Sequence, residues 1–138
     1  MRVFCCNCDK DVDARLTDGK EVYPHRGDLA ELPFWKCDDC KKFVGCHHRS
    51  DEPTKPLGSI PTPHLRKARS EIHAILDPIW RNRKMDRSKL YARIARHLGI
   101  PEYHTAELRT VEDAREVYRC VVGIRRELGL NKTWGKGR

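Results

Sequence analysis

The first third of the chain carries cysteine at a spacing suited to a metal ion. Cys5-Cys6-Asn7-Cys8 and Cys37-Asp38-Asp39-Cys40 each read Cys-x2-Cys. A loop of this length bends back so that both sulfurs and nearby backbone amides face one ion. Four thiolates at about 2.3 Å fill a tetrahedral zinc and leave no open position. The chemistry predicted is structural rather than reactive: one Zn2+ held by Cys5, Cys8, Cys37 and Cys40. Cys46 competes with Cys40 if the second half closes as a wider loop. Cys6 lies inside the first loop and is expected to point away as a free thiol. His47 and His48 read either as spare ligands or as surface residues at a strand end.

Six of the seven cysteines precede residue 47, and Cys120 stands alone. In a reducing compartment, clustered cysteines argue for metal rather than disulfides. The odd total and the tight CCNC spacing also fit a disulfide framework poorly. No apolar run approaches the 18 or more residues of a membrane helix, and MRVFCCNCDKD lacks the apolar core of a signal peptide. These features lead us to expect a soluble cytoplasmic protein with no membrane partner.

Such ligands need short strands and tight turns to hold them. Residues 1–49 read as a β-rich unit. Val12, Ala14 and Leu16 alternate with polar residues, and Asp18-Gly19 predicts a hairpin turn before Val22 and Tyr23. A second extended pair is expected from Leu32 to Trp35 and from Phe43 to Cys46. About fifty residues with so few large apolar groups bury too little surface alone, so a metal must supply the missing constraint. Residues 50–62, with three Pro and a Gly, read as a surface connector.

Residues 63–130 read as three helices. Thr62-Pro63 is a cap followed by Pro at the first helical position. Leu65, Ala68, Ile72, Leu76, Ile79 and Trp80 then recur at helical spacing, and Pro78 is expected to kink or end that helix. Asp86 caps a second helix over Arg87–Leu98, stopped by Gly99. Thr110 with Asp113 forms a capping box for a third. Val111, Ala114, Val117, Val121, Ile124 and Leu128 line its inner face, and Gly129 ends it. Residues 131–138 read as a loose tail. The fold class is therefore α+β: a four-cysteine ribbon followed by a three-helix unit.

The net charge of +8 is unevenly spread. Residues 1–49 hold nine Lys/Arg and nine Asp/Glu, so all the excess lies beyond them. Lys89, Arg93 and Arg96 form a stripe about 140° around the helix from Leu90, Ile94 and Leu98. Arg81, Arg83 and Lys84 extend it. Such a surface attracts phosphates, which makes DNA or RNA the expected partner; an acidic protein is the alternative. Tyr91–Ile100 also has the look of the first half of a helix-turn-helix, although EYHTAELR lacks the apolar period of a recognition helix. A metal-dependent nuclease site built from His47, His48 and Asp51 would need a second, open metal position and further carboxylates. No Gly-rich phosphate loop is present, and no small-molecule substrate is evident. The expectation is a protein that is not an enzyme.

CCNC (Cys5–Cys8), WKCDDCKKFVGCHHRSD (Trp35–Asp51), PLGSI (Pro56–Ile60), LRKARSEIHAILDPIW (Leu65–Trp80) and MDRSKLYARIARHLGI (Met85–Ile100) resemble the zinc-finger-containing domain family DUF3268. The resemblance spans roughly residues 5–122. It implies zinc and a phage or prophage setting inside a bacterial host cell, and no established reaction. A phage accessory factor would then act on nucleic acid, or dock on a host protein of the transcription or defence machinery. The Pro and Gly usual in a CPxCG knuckle are absent here.

Overall fold

The computed structural model describes residues 1–130; the expected tail, 131–138, lies outside the described residues. The chain divides into two units, one spanning Met1–His64 and one beginning at Leu65.

The first unit is built from two small antiparallel sheets. β1 (Arg2–Cys5) pairs with β2 (Lys10–Asp13), with Val3 opposite Val12. β3 (Arg15–Asp18), β4 (Pro33–Lys36) and β5 (Phe43–Gly45) form a sheet in that order. Side chains alternate across each strand. Leu16, Trp35 and Val44 therefore share one face, and Phe34 and Phe43 the other. On that second face Tyr23, Phe34 and Phe43 meet edge to face at 5.2 to 5.7 Å. The expected extended pair around the second Cys-x2-Cys is thus present as β4 and β5. The buried cluster consists of Val3, Cys5, Val12, Ala14, Cys37, Val44 and Ile60, with Cys8, Trp35 and Cys40 packed against it. Four cysteines in so small a core make the sulfurs part of the packing.

Two expectations for this unit need correcting. Asp18-Gly19 does not turn a hairpin. Asp18 caps a short helix, α1 (Gly19–Val22), its carboxylate accepting from the Lys20 N–H at 3.1 Å. A two-residue Asp-Gly turn of type I′ needs positive φ at both positions, and neither residue has it. Glycine is required here for closeness instead: a Cβ at Gly19 would lie 1.8 Å from the Leu29 carbonyl oxygen. Gly19→Ala must displace backbone, and we expect a loss of about 3 kcal/mol, the upper end for overpacking. Thermal melting measures it, and an unchanged midpoint would contradict the close approach.

The second correction concerns residues 50–62. The Trp35 indole donates to the Thr54 carbonyl at 2.6 Å, and the His47 and Leu57 N–H groups donate to the Lys55 and Gly45 carbonyls. Ile60 is fully buried and exchanges backbone bonds with the first strand, from its N–H to Phe4 O and from Cys6 N–H to its own carbonyl. The segment is a third edge of the ribbon rather than a free connector. Its prolines fix φ where no N–H donor is needed.

The second unit contains α2 (Pro63–Arg81, which begins two residues before it), α3 (Arg87–Leu98) and α4 (Val111–Glu127). α2 buries Leu65, Ile72, Ile75, Leu76 and Ile79; α3 buries Leu90, Ile94 and Ala95; α4 buries Ala114, Val117, Val121 and Ile124. Three of the expected caps are in place. Asp86 accepts from the Ser88 and Lys89 N–H groups, Thr110 accepts from the Asp113 N–H, and Gly99 takes the left-handed φ of 70° that ends α3. Pro78 does not end α2. It falls in the last turn, where only one helical bond is lost, and the Asn82 N–H still reaches its carbonyl at 3.0 Å. No recognition helix follows α3: residues 99–110 intervene before α4 and hold a 3-10 turn, Thr105–Glu107. A helix-turn-helix allows only three or four residues there. Among the described residues, no helix is long and apolar enough to cross a membrane.

Candidate metal centre and basic corner

Both Cys-x2-Cys segments sit in the bends of hairpins. The first joins β1 to β2, and the second joins β4 to β5. In each, the residue after the second cysteine is left-handed: Asp9 at φ 58° and Lys41 at φ 69°. This is the place of the missing knuckle glycine. The bend closes as the Asp9 N–H donates to Cys5 O and the Lys41 N–H to Cys37 O, each at 2.7 Å. Left-handed backbone is tolerated by Asp better than by Lys, which has no short polar group to bond locally. We therefore expect Lys41→Gly to stabilise the ribbon by about 0.5–1 kcal/mol and Asp9→Gly to be near neutral. Equal responses in thermal melts would count against this strain.

The two bends bring four sulfurs together. Cys5, Cys8, Cys37 and Cys40 offer Sγ atoms that all lie within 4.8 Å of one another. Cys5 approaches Cys40 at 3.5 Å, and Cys8 approaches Cys37 at 3.8 Å. Sulfurs at about 2.3 Å from a tetrahedral ion stand about 3.8 Å apart, so the residues present fit zinc. The electrostatics point the same way. Burial pushes the Cys5 thiol up to about 12, and neighbouring Cys40 adds to this while the Cys8 and Asn7 N–H groups oppose it. Burial also acts upward on Cys40, but the Lys42 N–H and the thiols of Cys5, Cys37 and Cys8 outweigh it and hold it low. Four sulfurs this close can all ionise only beside a cation that balances their charge.

The remaining cysteines lie elsewhere. Cys6 Sγ faces Ser59 Oγ at 3.5 Å, away from the group as expected. Cys46 is buried beside Pro56, and Cys40, not Cys46, is the fourth sulfur of the group. His47 and His48 are exposed, and the His48 ring lies 3.4 Å from the Cys46 carbonyl. Among the described residues, His47, His48 and Asp51 form no group able to hold a metal.

The basic stripe differs from its expected form. Arg93 is paired with Glu127 of α4, 34 residues away, and is not a free cation. Arg81 lies 3.8 Å from Asp77 one turn back on α2. Among the described residues, Arg83, Lys84, Lys89 and Arg96 make no ion pair, and all four are exposed. One basic residue was missed. Arg87 lies over the Trp80 ring at 5.4 Å and over the Tyr91 ring at 4.3 Å, bridging the end of α2 to the start of α3. The only signal in the sequence was Arg87 and Tyr91 four apart on one helix, a spacing that lets side chains meet. Arg83 takes a left-handed φ of 59°, where helices usually place glycine.

Hairpin knuckles with four converging cysteines, followed by a helical unit, define an α+β protein with a zinc-finger module of ribbon type. The sequence matches the zinc-finger-containing domain DUF3268 over residues 1–122, so the chain belongs to that family. No curated protein and no solved structure matches it.

Proposed function

We propose that the chain is a non-enzymatic zinc-binding protein. One Zn2+ on Cys5, Cys8, Cys37 and Cys40 clips the first unit, and the basic corner of the second binds nucleic acid. Four protein sulfurs saturate the ion, so its role is to hold β1–β2 against β4–β5 and not to activate water. The nucleic-acid part is supported by one observation above the rest: Arg83, Lys84, Lys89 and Arg96, exposed cations around the α2–α3 corner, lack carboxylate partners among the described residues. Unpaired cations neutralise phosphates and release counterions, whereas a cation held by Glu127 gains less from doing so. The phage or prophage accessory role implied by the resemblance fits this reading.

The test uses the zinc-loaded protein and a labelled oligonucleotide in fluorescence anisotropy at several salt concentrations. Replacing Lys89 and Arg96 together with Gln is expected to weaken binding to unrelated sequences alike and to reduce the salt slope by about two. Arg93→Gln should change the slope by less than either. A wild-type protein that ignores nucleic acid but captures a host protein would replace this reading with protein docking.

A further inference from the structure

A cavity of about 310 Å³ opens on α3, on a different face from Lys89, Arg93 and Arg96. Its wall on α3 includes Arg87, Ser88, Tyr91 and Ala92, and the segment after the helix closes it with Glu102 and His104. The volume lies in the range that takes a small ligand. Arg87 is its distinctive group. Stacking over Trp80 and Tyr91 holds the guanidinium in place, and Tyr91 is itself packed on buried Tyr103 at 5.5 Å between ring centres. Among the described residues Arg87 has no carboxylate partner. A planar donor fork that is already oriented loses little freedom when it grips a phosphate. The cavity is not uniformly basic. The Glu102 carboxylate lies 3.3 Å from the His104 ring and adds an acceptor. A donor fork, aromatic surface and a separate acceptor complement a phosphate joined to a base better than a bare phosphate.

We propose that this cavity receives one unpaired nucleotide of a single strand, with its phosphate on Arg87. The inference rests on the nucleic-acid reading above and narrows it. A duplex keeps its bases stacked and paired, so none can enter a cavity of this size without being extruded. A single strand presents them freely and gains from aromatic and guanidinium stacking. Unpartnered Arg83 and Lys84 lie between α2 and Arg87, where the neighbouring phosphates of the strand would pass.

The test compares a twelve-nucleotide single strand with the duplex of the same sequence, using the full zinc-loaded chain. Arg87→Lys keeps the charge but loses the planar stack. Ala92→Leu fills the cavity from an exposed position and keeps a good helix former. Each variant is expected to weaken single-strand binding about tenfold, with duplex binding and the thermal midpoint unchanged. The wild type should prefer the single strand at equal salt. Equal affinity for both forms, with both variants silent, would overturn the cavity assignment and leave the nucleic-acid reading standing. Binding of neither form would overturn the two together. A mononucleotide that displaces the strand at micromolar concentration would assign the cavity to a free nucleotide and overturn the single-strand reading.

Discussion

Chelation of zinc should unfold residues 1–64 while most of the helical signal survives. The first unit has a buried cluster of seven residues, of which two are cysteines and only Val3, Val12, Val44 and Ile60 are larger aliphatics. Such a core stabilises a fold of this size by very little. Structural zinc in small fingers supplies about 10–16 kcal/mol at neutral pH, far more than that deficit. The second unit buries Leu, Ile and Val from three helices, and α3 and α4 carry their own N-caps, so it has no need of the ion. Far-ultraviolet circular dichroism during titration with a chelator would report the split. The sign of the pH effect follows from the thiols. Zinc binds thiolates, so each ligand's effective pKa falls far below its unfolded value of about 8.5. The resulting stabilisation is fully present above that value and is lost as pH falls, so acid should release the metal and the ribbon together. Simultaneous loss of the helices would contradict the independence of the two units.

Cysteine replacements should divide into two sharply different groups. Cys8→Ser or Cys37→Ser opens the tetrahedral set and leaves three thiolates crowded around an ion they hold poorly. Loss of several kcal/mol is expected, enough to leave the ribbon unfolded. Cys6→Ser and Cys120→Ser remove a small thiol from partly exposed sites and should cost less than about 1 kcal/mol. Cys46→Ser tests the assignment most severely, because that residue is buried like a ligand yet stands outside the sulfur group. It should lower the melting temperature modestly while zinc is retained in full. Equal zinc loss from Cys40→Ser and Cys46→Ser would mean that the second knuckle closes differently.

The features legible in the sequence were those written locally. Cys-x2-Cys, Asp86 before α3, Thr110 three residues before Asp113, and Gly99 after Leu98 each act within one turn of chain. The structure has each of these caps and bends in place. The apolar stripes of α3 and α4 were legible for the same reason, since burial follows the helical period. What escaped was set by partners distant in sequence. Arg93 is neutralised by Glu127, and the backbone bonds of Ile60 to the first strand cross more than fifty residues. Arg69 and Arg125 are buried among the helices, where they donate to the Leu108 and Ile75 carbonyls. Nothing in a local pattern distinguishes them from arginines on a solvated face. Gly19 misled because Asp-Gly is a strong turn signal, whereas its real constraint is the Leu29 carbonyl ten residues on.

On this reading Cys5, Cys8, Cys37 and Cys40 together hold one metal ion. Titration of the metal-free protein with Co2+ tests it most directly, because cobalt reports its ligands through its visible and near-ultraviolet absorption. The expected result is saturation at one equivalent, intense bands of a tetrahedral site, sulfur-to-cobalt charge transfer from four thiolates, and full displacement by zinc. The same spectrum is expected from Cys46→Ser. A weak octahedral spectrum without charge transfer, or saturation at an equivalence other than one, would contradict it.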